Sequence, residues 1–233
     1  MANRVKEKLL NGDTAIVLNP NYASPNIVEF LGKLGFDGFF IDCQRHPITF
    51  KDAEEMHRAA KGIGLTSIVR PESNENWAIA RYLTLGVGGI MLTYMDNAEM
   101  VQNAINQVRQ TRAHDYADIL VIVNLQTLQG LQNLEEIVSI DGVDVVFVGP
   151  GDLSGEMGHP GDIYHPEVRS AIERVLNVTI QNGKIPGALV DVTNVQYYHQ
   201  KGVRYLYHHI NNFLTRGADE FFEFKKISKD FSE

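Results

Sequence analysis

The chain has 233 residues, 44% of them apolar, with one cysteine and a formal net charge of −8 at pH 7. That length suits one large α/β domain, the acidic balance without a basic stripe argues against a nucleic-acid partner, and the lone Cys43 forbids internal disulfides and fits a reducing compartment. Residues Met1 to Leu10 hold no apolar core of signal-peptide length and the apolar runs are too short to span a bilayer, so a soluble, cytoplasmic protein is expected.

In chain order, Thr14 to Asn19 reads as a strand closed by Pro20 and Asn21. Ser24-Pro25 opens a helix whose Ile27, Val28, Phe30, Leu31 and Leu34 share a face, and Gly35 stops it. Gly38 to Asp42 is a short buried strand; Thr49 caps a helix that runs through Ala60 to Lys61-Gly62. Leu65 to Arg70 is the third strand, stopped by Pro71, and Asn74 to Leu85 is a helix ended by Gly86. Gly89 to Thr93, Ile119 to Leu125 and Val143 to Val148 continue the strands, with helices over Asp96 to Arg112 and Leu131 to Val138 between them. Glu167 to Gln181 (helix), Ile185 to Val190 (strand), Val192 to Gln200 (helix) and Arg204 to His208 (strand) follow, and Asn211 starts a last helix.

Eight strands alternating with eight helices, without a linker or low-complexity tract, predict a single (β/α)8 barrel over residues 1–233. The alternative is an open doubly wound sheet, but no Gly-x-Gly-x-x-Gly loop follows the first strand. A Walker-type loop and a Cys/His cluster of zinc spacing are also absent from the sequence.

The stretch from Val143 to Ser154 carries the strongest local signal. A β-branched and aromatic run breaks at Gly149-Pro150-Gly151, and the carboxylate of Asp152 follows at once. An Asp here also serves as a simple turn cap, so context decides. In a barrel the carboxyl ends of the strands form the active face. The polar residues that fall there are Asp42, Gln44, Arg45, His46, Arg70, Gln126, Asp152, His208 and His209. Arg70 offers a planar fork for a carboxylate or enolate oxygen, while Asp152 is a hard oxygen ligand of the kind Mg²⁺ or Mn²⁺ prefers. The backbone N–H groups of Gly151 and Asp152 suit a carboxylate, and Asp42 with His46 forms a candidate acid–base pair. An Arg70–Asp42 ion pair with no further role is the bland alternative.

Phe36 to Gln44, Val69-Arg70-Pro71, Gln126-Thr127 with Leu134 to Ile137, and Val148-Gly-Pro-Gly-Asp152-Leu-Ser154 together resemble the HpcH/HpaI aldolase (citrate lyase-like) family. The resemblance runs over nearly the whole chain in order. It implies a class II, divalent-metal-dependent aldolase of 2-oxo acids, of 4-hydroxy-2-oxoheptanedioate type, on a modified barrel. By the same resemblance Arg70 would hold a pyruvate enolate oxygen, the Gly151 and Asp152 amides its carboxylate, and Asp152 the metal. Asp42 would partner the family's His base, and the final helix would pack on a neighbouring subunit of a homo-oligomer. Phe213, Leu214, Phe221, Phe222 and Phe224 give that segment an apolar face, which closing its own barrel would also explain.

The chain departs from the family pattern at two site positions. Gln126 stands where a metal-binding Glu is expected, which removes one negative charge from the metal site (Gln126 and Asp152). Arg45 stands where the His is expected and is followed by His46, so His46 is the base candidate and Arg45 a second cation for a dicarboxylic substrate. The expected function is thus a metal-dependent carbon–carbon lyase that cleaves or forms a 2-oxo acid through a pyruvate-type enolate. The alternatives are a decarboxylase or hydrolase on the same scaffold, or a non-catalytic binder of small carboxylates.

Overall fold

The computed structural model describes residues 3–223. Eight parallel strands pair in sequence order and close: β1 (Ala15–Asn19), β2 (Gly38–Asp42), β3 (Thr66–Arg70), β4 (Gly89–Thr93), β5 (Leu120–Leu125), β6 (Val145–Val148), β7 (Ile185–Leu189) and β8 (Tyr205–His209). Among the described residues the helices are α1 (Arg4–Leu10), α2 (Pro25–Lys33), α3 (Phe50–Gly62), α4 (Asn76–Leu83), α5 (Ala98–Thr111), α6 (Leu128–Gln132), α7 (Leu134–Ser139), α8 (Pro150–Glu156), α9 (Pro166–Gln181), α10 (Val195–Gln200) and α11 (Ile210–Phe222). This is the expected barrel. None of these helices is long and apolar enough to cross a membrane.

Caps explain several boundaries. The Ser24 side chain accepts the Ile27 N–H ahead of Pro25 in α2, and Thr49 with Asp52 forms a reciprocal capping box on α3.

Period-two alternation sorts the strand residues into two cores. Val17, Phe40, Ile68, Met91, Ile122, Val145, Phe147, Tyr205 and Tyr207 point inward and fill the barrel. Leu18, Phe39, Ile41, Val69, Ile90, Val121, Val123, Val146 and Leu206 point outward and pack beneath the helices.

The helix expected over Leu131 to Val138 is broken at Asn133 into α6 and α7, and two further short helices, α1 and α8, were not expected from the sequence. In α1, Val5 and Leu9 enter the inner core, so this helix plugs the amino-terminal end of the barrel. Its cations hold carboxylates at the strand starts: Lys6 lies 2.9 Å from Asp144, and Arg4 and Lys8 lie 3.1 and 2.9 Å from Asp37. Gly38 makes room for the plug, since a Cβ there would stand 2.8 Å from the Val5 side chain and 2.7 Å from the Thr66 carbonyl. The second unexpected helix, α8, begins at Pro150 in what the sequence suggests is only a turn.

On α11, Phe213, Leu214, Phe221 and Phe222 are exposed, while the Phe213 ring also touches Phe36 and His208. Phe224 lies outside the described residues.

Candidate active site

On several strands the inward-facing ladder continues past the apolar core into polar side chains at the carboxyl-terminal mouth. Two residues beyond Val17, Phe40, Ile68, Ile122 and Tyr207 stand Asn19, Asp42, Arg70, Asn124 and His209. Parallel register sets Asp42 opposite Arg70 on β2 and β3, and Asn19 opposite His209 on β1 and β8. Barrel geometry alone therefore brings these side chains to one ring.

The ring opens into a cavity of about 470 Å³ whose walls include Asp42, Arg45, His46, Arg70, Asp152 and His209. Phe40, Met91, Phe147 and Tyr207 form its apolar floor. A larger hollow of about 840 Å³ lies beside it, against the flank of α5, and its walls contain none of those charged strand-end groups. The chemistry gathers in the smaller one.

Asp42 is fully buried and accepts four hydrogen bonds. Arg70 donates through Nε at 2.9 Å and Nη2 at 2.6 Å, and the Gln44 and Arg45 amides donate at 3.2 and 3.1 Å. Burial pushes the Asp42 carboxyl up, but the Arg70 hydrogen bonds and charge, the Arg45 amide and the His46 ring together outweigh it and hold it below its usual range. One edge of the Arg70 fork is thereby committed to Asp42, and its remaining N–H groups are left for the cavity. The bland pair foreseen for Arg70 exists, and it also orients the guanidinium at the mouth.

His46 lines the same cavity, with Nε2 3.7 Å from Asp42 Oδ2. That is an ion-pair distance rather than a hydrogen bond, because donors already fill the carboxylate. His46 Nε2 is itself buried without a partner.

Arg45 reaches across the mouth, and its Nη2 lies 2.6 Å from Asp152 Oδ1. Gln126 is 1% exposed and stands behind the wall, donating Nε2 to Asp152 Oδ2 at 3.3 Å. Its Oε1 accepts from Asn124 Nδ2 at 2.8 Å, and Asn124 Oδ1 has no partner. Gly149 permits this packing, since a Cβ there would sit 3.1 Å from Asn124 Oδ1. Gly151 and Asp152 both line the cavity in the first turn of α8, ahead of the first intrahelical bond from Leu153 N–H to Gly149 O at 3.0 Å. Their amides consequently have no partner within the helix.

The donor set can fit a divalent ion in one arrangement. Turning over both amides keeps the Asn124–Gln126 bond, now accepted by the orphan Asn124 oxygen, and aims the Gln126 carbonyl at Asp152. The pair then offers one carboxylate and one neutral carbonyl, a hard-oxygen set carrying a single charge. A second cluster, His159, His165 and Glu167, brings its ligand atoms within 4.8 Å of one another outside this cavity. Its two imidazoles stack at 3.4 Å with a 17° tilt, so their in-plane lone pairs do not converge on one ion.

The two strand-eight histidines divide by parity. His208 faces outward, where Nδ1 meets the Val190 carbonyl and the ring meets Phe213, so it does not join the mouth as its place at a strand end suggests. His209 does join it. Its Nδ1 meets Asn21 Oδ1 at 2.9 Å, and burial, helped by the nearby His46, pushes the ring down to about 4. Asn21 takes a positive φ of 61°, a backbone that Asn tolerates, and its own N–H is held by Asn19 Oδ1 at 2.8 Å. Burial also pushes the Cys43 thiol up to about 11, which keeps it out of nucleophilic chemistry.

Comparison with known proteins bears on this arrangement. The HpcH/HpaI aldolase/citrate lyase family model matches residues 16–209. A 4-hydroxy-2-oxo-heptane-1,7-dioate aldolase of Klebsiella pneumoniae is 32% identical over 213 residues, covering 82% of this chain and 80% of its own. A 2-dehydro-3,6-dideoxy-6-sulfogluconate aldolase of Pseudomonas putida is 33% identical over 172 residues, covering 64% and 68%. The crystal structure of an HpcH/HpaI aldolase/citrate lyase family protein from Burkholderia cenocepacia superposes with a TM-score of 0.90 at 25% identity, covering 96% of this chain and 99% of that one.

Proposed function

Because the chain belongs to the HpcH/HpaI aldolase/citrate lyase family and so to the carbon–carbon lyases, we propose that it cleaves or forms 4-hydroxy-2-oxo acids through a pyruvate-type enolate. The observation that carries this reading is the meeting of Asp42, Arg70, Arg45, Asp152 and His46 on one cavity at the barrel mouth. The names of the similar aldolases, whose substrates are 2-oxo acids with a further anionic group, support the substrate class.

In the cleavage direction His46 takes the proton of the 4-hydroxyl, the C3–C4 bond breaks to release an aldehyde, and its electron pair passes into the enolate. Arg70, oriented by Asp42, donates N–H groups to the developing enolate oxygen. The first-turn amides of α8 at Gly151 and Asp152 receive the substrate carboxylate, and the proton on His46 returns to C3 to leave pyruvate. Asp152 and Gln126 would hold the divalent ion, Mg²⁺ or Mn²⁺. Once bound, such an ion polarises the 2-oxo group.

Arg45 adds a second cation at the mouth, which favours an acceptor half bearing its own carboxylate. The exposed face of α11, with Leu214 57% exposed, suits assembly with further copies of the chain, and the cytoplasm suits the single free Cys43.

Pyruvate release from 4-hydroxy-2-oxo acids tests the reading. Arg70→Lys keeps the charge but loses the fork, so turnover is expected to fall at least about a hundredfold with the circular dichroism unchanged. A Lys variant with wild-type kinetics overturns the assignment.

A further inference from the structure

The geometry points to Arg45 as the resident occupant of the cation position on Asp152: the guanidinium and a divalent ion hold that carboxylate in turn, never together. The inference rests on the reading that Gln126 and Asp152 receive such an ion, and it concerns how the chain regulates that site.

Asp152 has two oxygens, and N–H donors take both. Arg45 Nη2 is 2.6 Å from Oδ1 and Gln126 Nε2 is 3.3 Å from Oδ2. Gln126 contributes no charge, so the only negative charge in the ion's donor pair is the one that Arg45 already neutralises. A divalent ion bonded to Asp152 at about 2–2.6 Å would stand within a few ångströms of that guanidinium, where like charges repel strongly. One of them must leave.

Exposure decides which cation can move. The Arg45 and Asp152 side chains are 46% and 35% exposed, so their pair is worth little and opens readily. The Arg70–Asp42 pair, at 12% and 1% exposure, is fixed by comparison. The mouth thus holds one locked cation and one that can swing. When Arg45 leaves and the ion arrives, both amides turn over, so that the Gln126 carbonyl faces Asp152 and the otherwise unpartnered Asn124 Oδ1 accepts from the Gln126 amide. The released guanidinium lies over the cavity, where it meets the second carboxylate of a dicarboxylic 2-oxo acid. Coupling of this kind is reciprocal: whatever draws Arg45 off Asp152 raises the affinity for the ion.

The test is a Mn²⁺ titration without substrate, reading free Mn²⁺ by electron paramagnetic resonance. It compares wild type, Arg45→Met, Arg45→Lys and the double variant Arg45→Met/Asp152→Asn, each checked for native circular dichroism. Arg45→Met, which keeps the stem and removes the charge, is expected to bind Mn²⁺ at least about tenfold more tightly than wild type. Arg45→Lys should stay within about threefold of wild type, and Asp152→Asn should abolish the gain. Equal affinity in wild type and Arg45→Met overturns the exchange while leaving the ion in place. So does a Lys variant as tight as the Met one, or a gain that survives Asp152→Asn. If no form binds Mn²⁺, the ion itself falls and the exchange falls with it.

Discussion

Asp42→Ala is expected to lower folding stability by about 3–5 kcal/mol at neutral pH, the range for breaking a buried charge pair by removing one partner. Asp42 is fully buried and receives two bonds from Arg70, at 2.9 and 2.6 Å, and two from the Gln44 and Arg45 amides, at 3.2 and 3.1 Å. Alanine leaves all of these donors without an acceptor, at about 1–3 kcal/mol for each that water cannot reach. The Arg70 side chain is only 12% exposed, so little water reaches the guanidinium. Removing both charges, as in Asp42→Ala/Arg70→Met, should therefore cost less than Asp42→Ala alone. Equilibrium urea unfolding by far-ultraviolet circular dichroism measures the difference, because the one tryptophan, Trp77, is already 57% exposed and reports folding poorly. The pH dependence is a second arm. The Asp42 carboxyl is held below its unfolded value of about 3.9, so its contribution is full above that value and is lost as pH falls through the folded one. The gap between wild type and Asp42→Ala should narrow below about pH 4. A cost under about 1 kcal/mol, or a double variant that loses the sum of both single losses, refutes the reasoning.

Two further outcomes concern the site's chemistry. Gln126→Glu places a second negative charge beside Asp152, so calorimetry should show tighter Mg²⁺ and Mn²⁺ binding; unchanged affinity means that Gln126 is not a ligand. His46→Ala should remove most pyruvate release, whereas His209→Gln should leave the pH dependence above about pH 4 unchanged, since the His209 ring stays neutral down to about pH 4. A wild-type rate in His46→Ala would place the base elsewhere.

Much of the barrel was legible because its strands are short β-branched runs punctuated by Gly and Pro, and all eight appear within a residue or two of their expected bounds. The plug α1 was not legible. Its buried pair, Val5 and Leu9, has no meaning until a closed barrel leaves an end to fill. Helix α8 was hidden by composition, since Gly149-Pro150-Gly151 reads as a turn, yet Pro sits comfortably in a helix's first turn.

Asp42, Arg70 and Asp152 could be marked from their places at strand ends. Asn19, Asn124 and the part played by His209 needed parity as well: each stands two residues beyond an inward core residue, a period-two signal present in the sequence. The same parity separates His209 from its neighbour His208. What no local pattern carries is the Arg45–Asp152 contact, which joins residues 107 apart through the closure of the barrel.

The plug at the amino-terminal end also sets a timetable for the molecule's assembly. During synthesis α1 leaves the ribosome before any strand, but the groups that anchor it come much later. Lys6 must wait for the Ile119 carbonyl and for Asp144, 138 residues downstream, and the inner face that receives Val5 and Leu9 includes Tyr205 and Tyr207 of the last strand. A segment made before every strand is thus among the last to be secured. Until then Val5 and Leu9 must stay off other surfaces, a task eased by Arg4, Lys6, Glu7 and Lys8 around them, which keep the nascent helix in water while it waits for its socket.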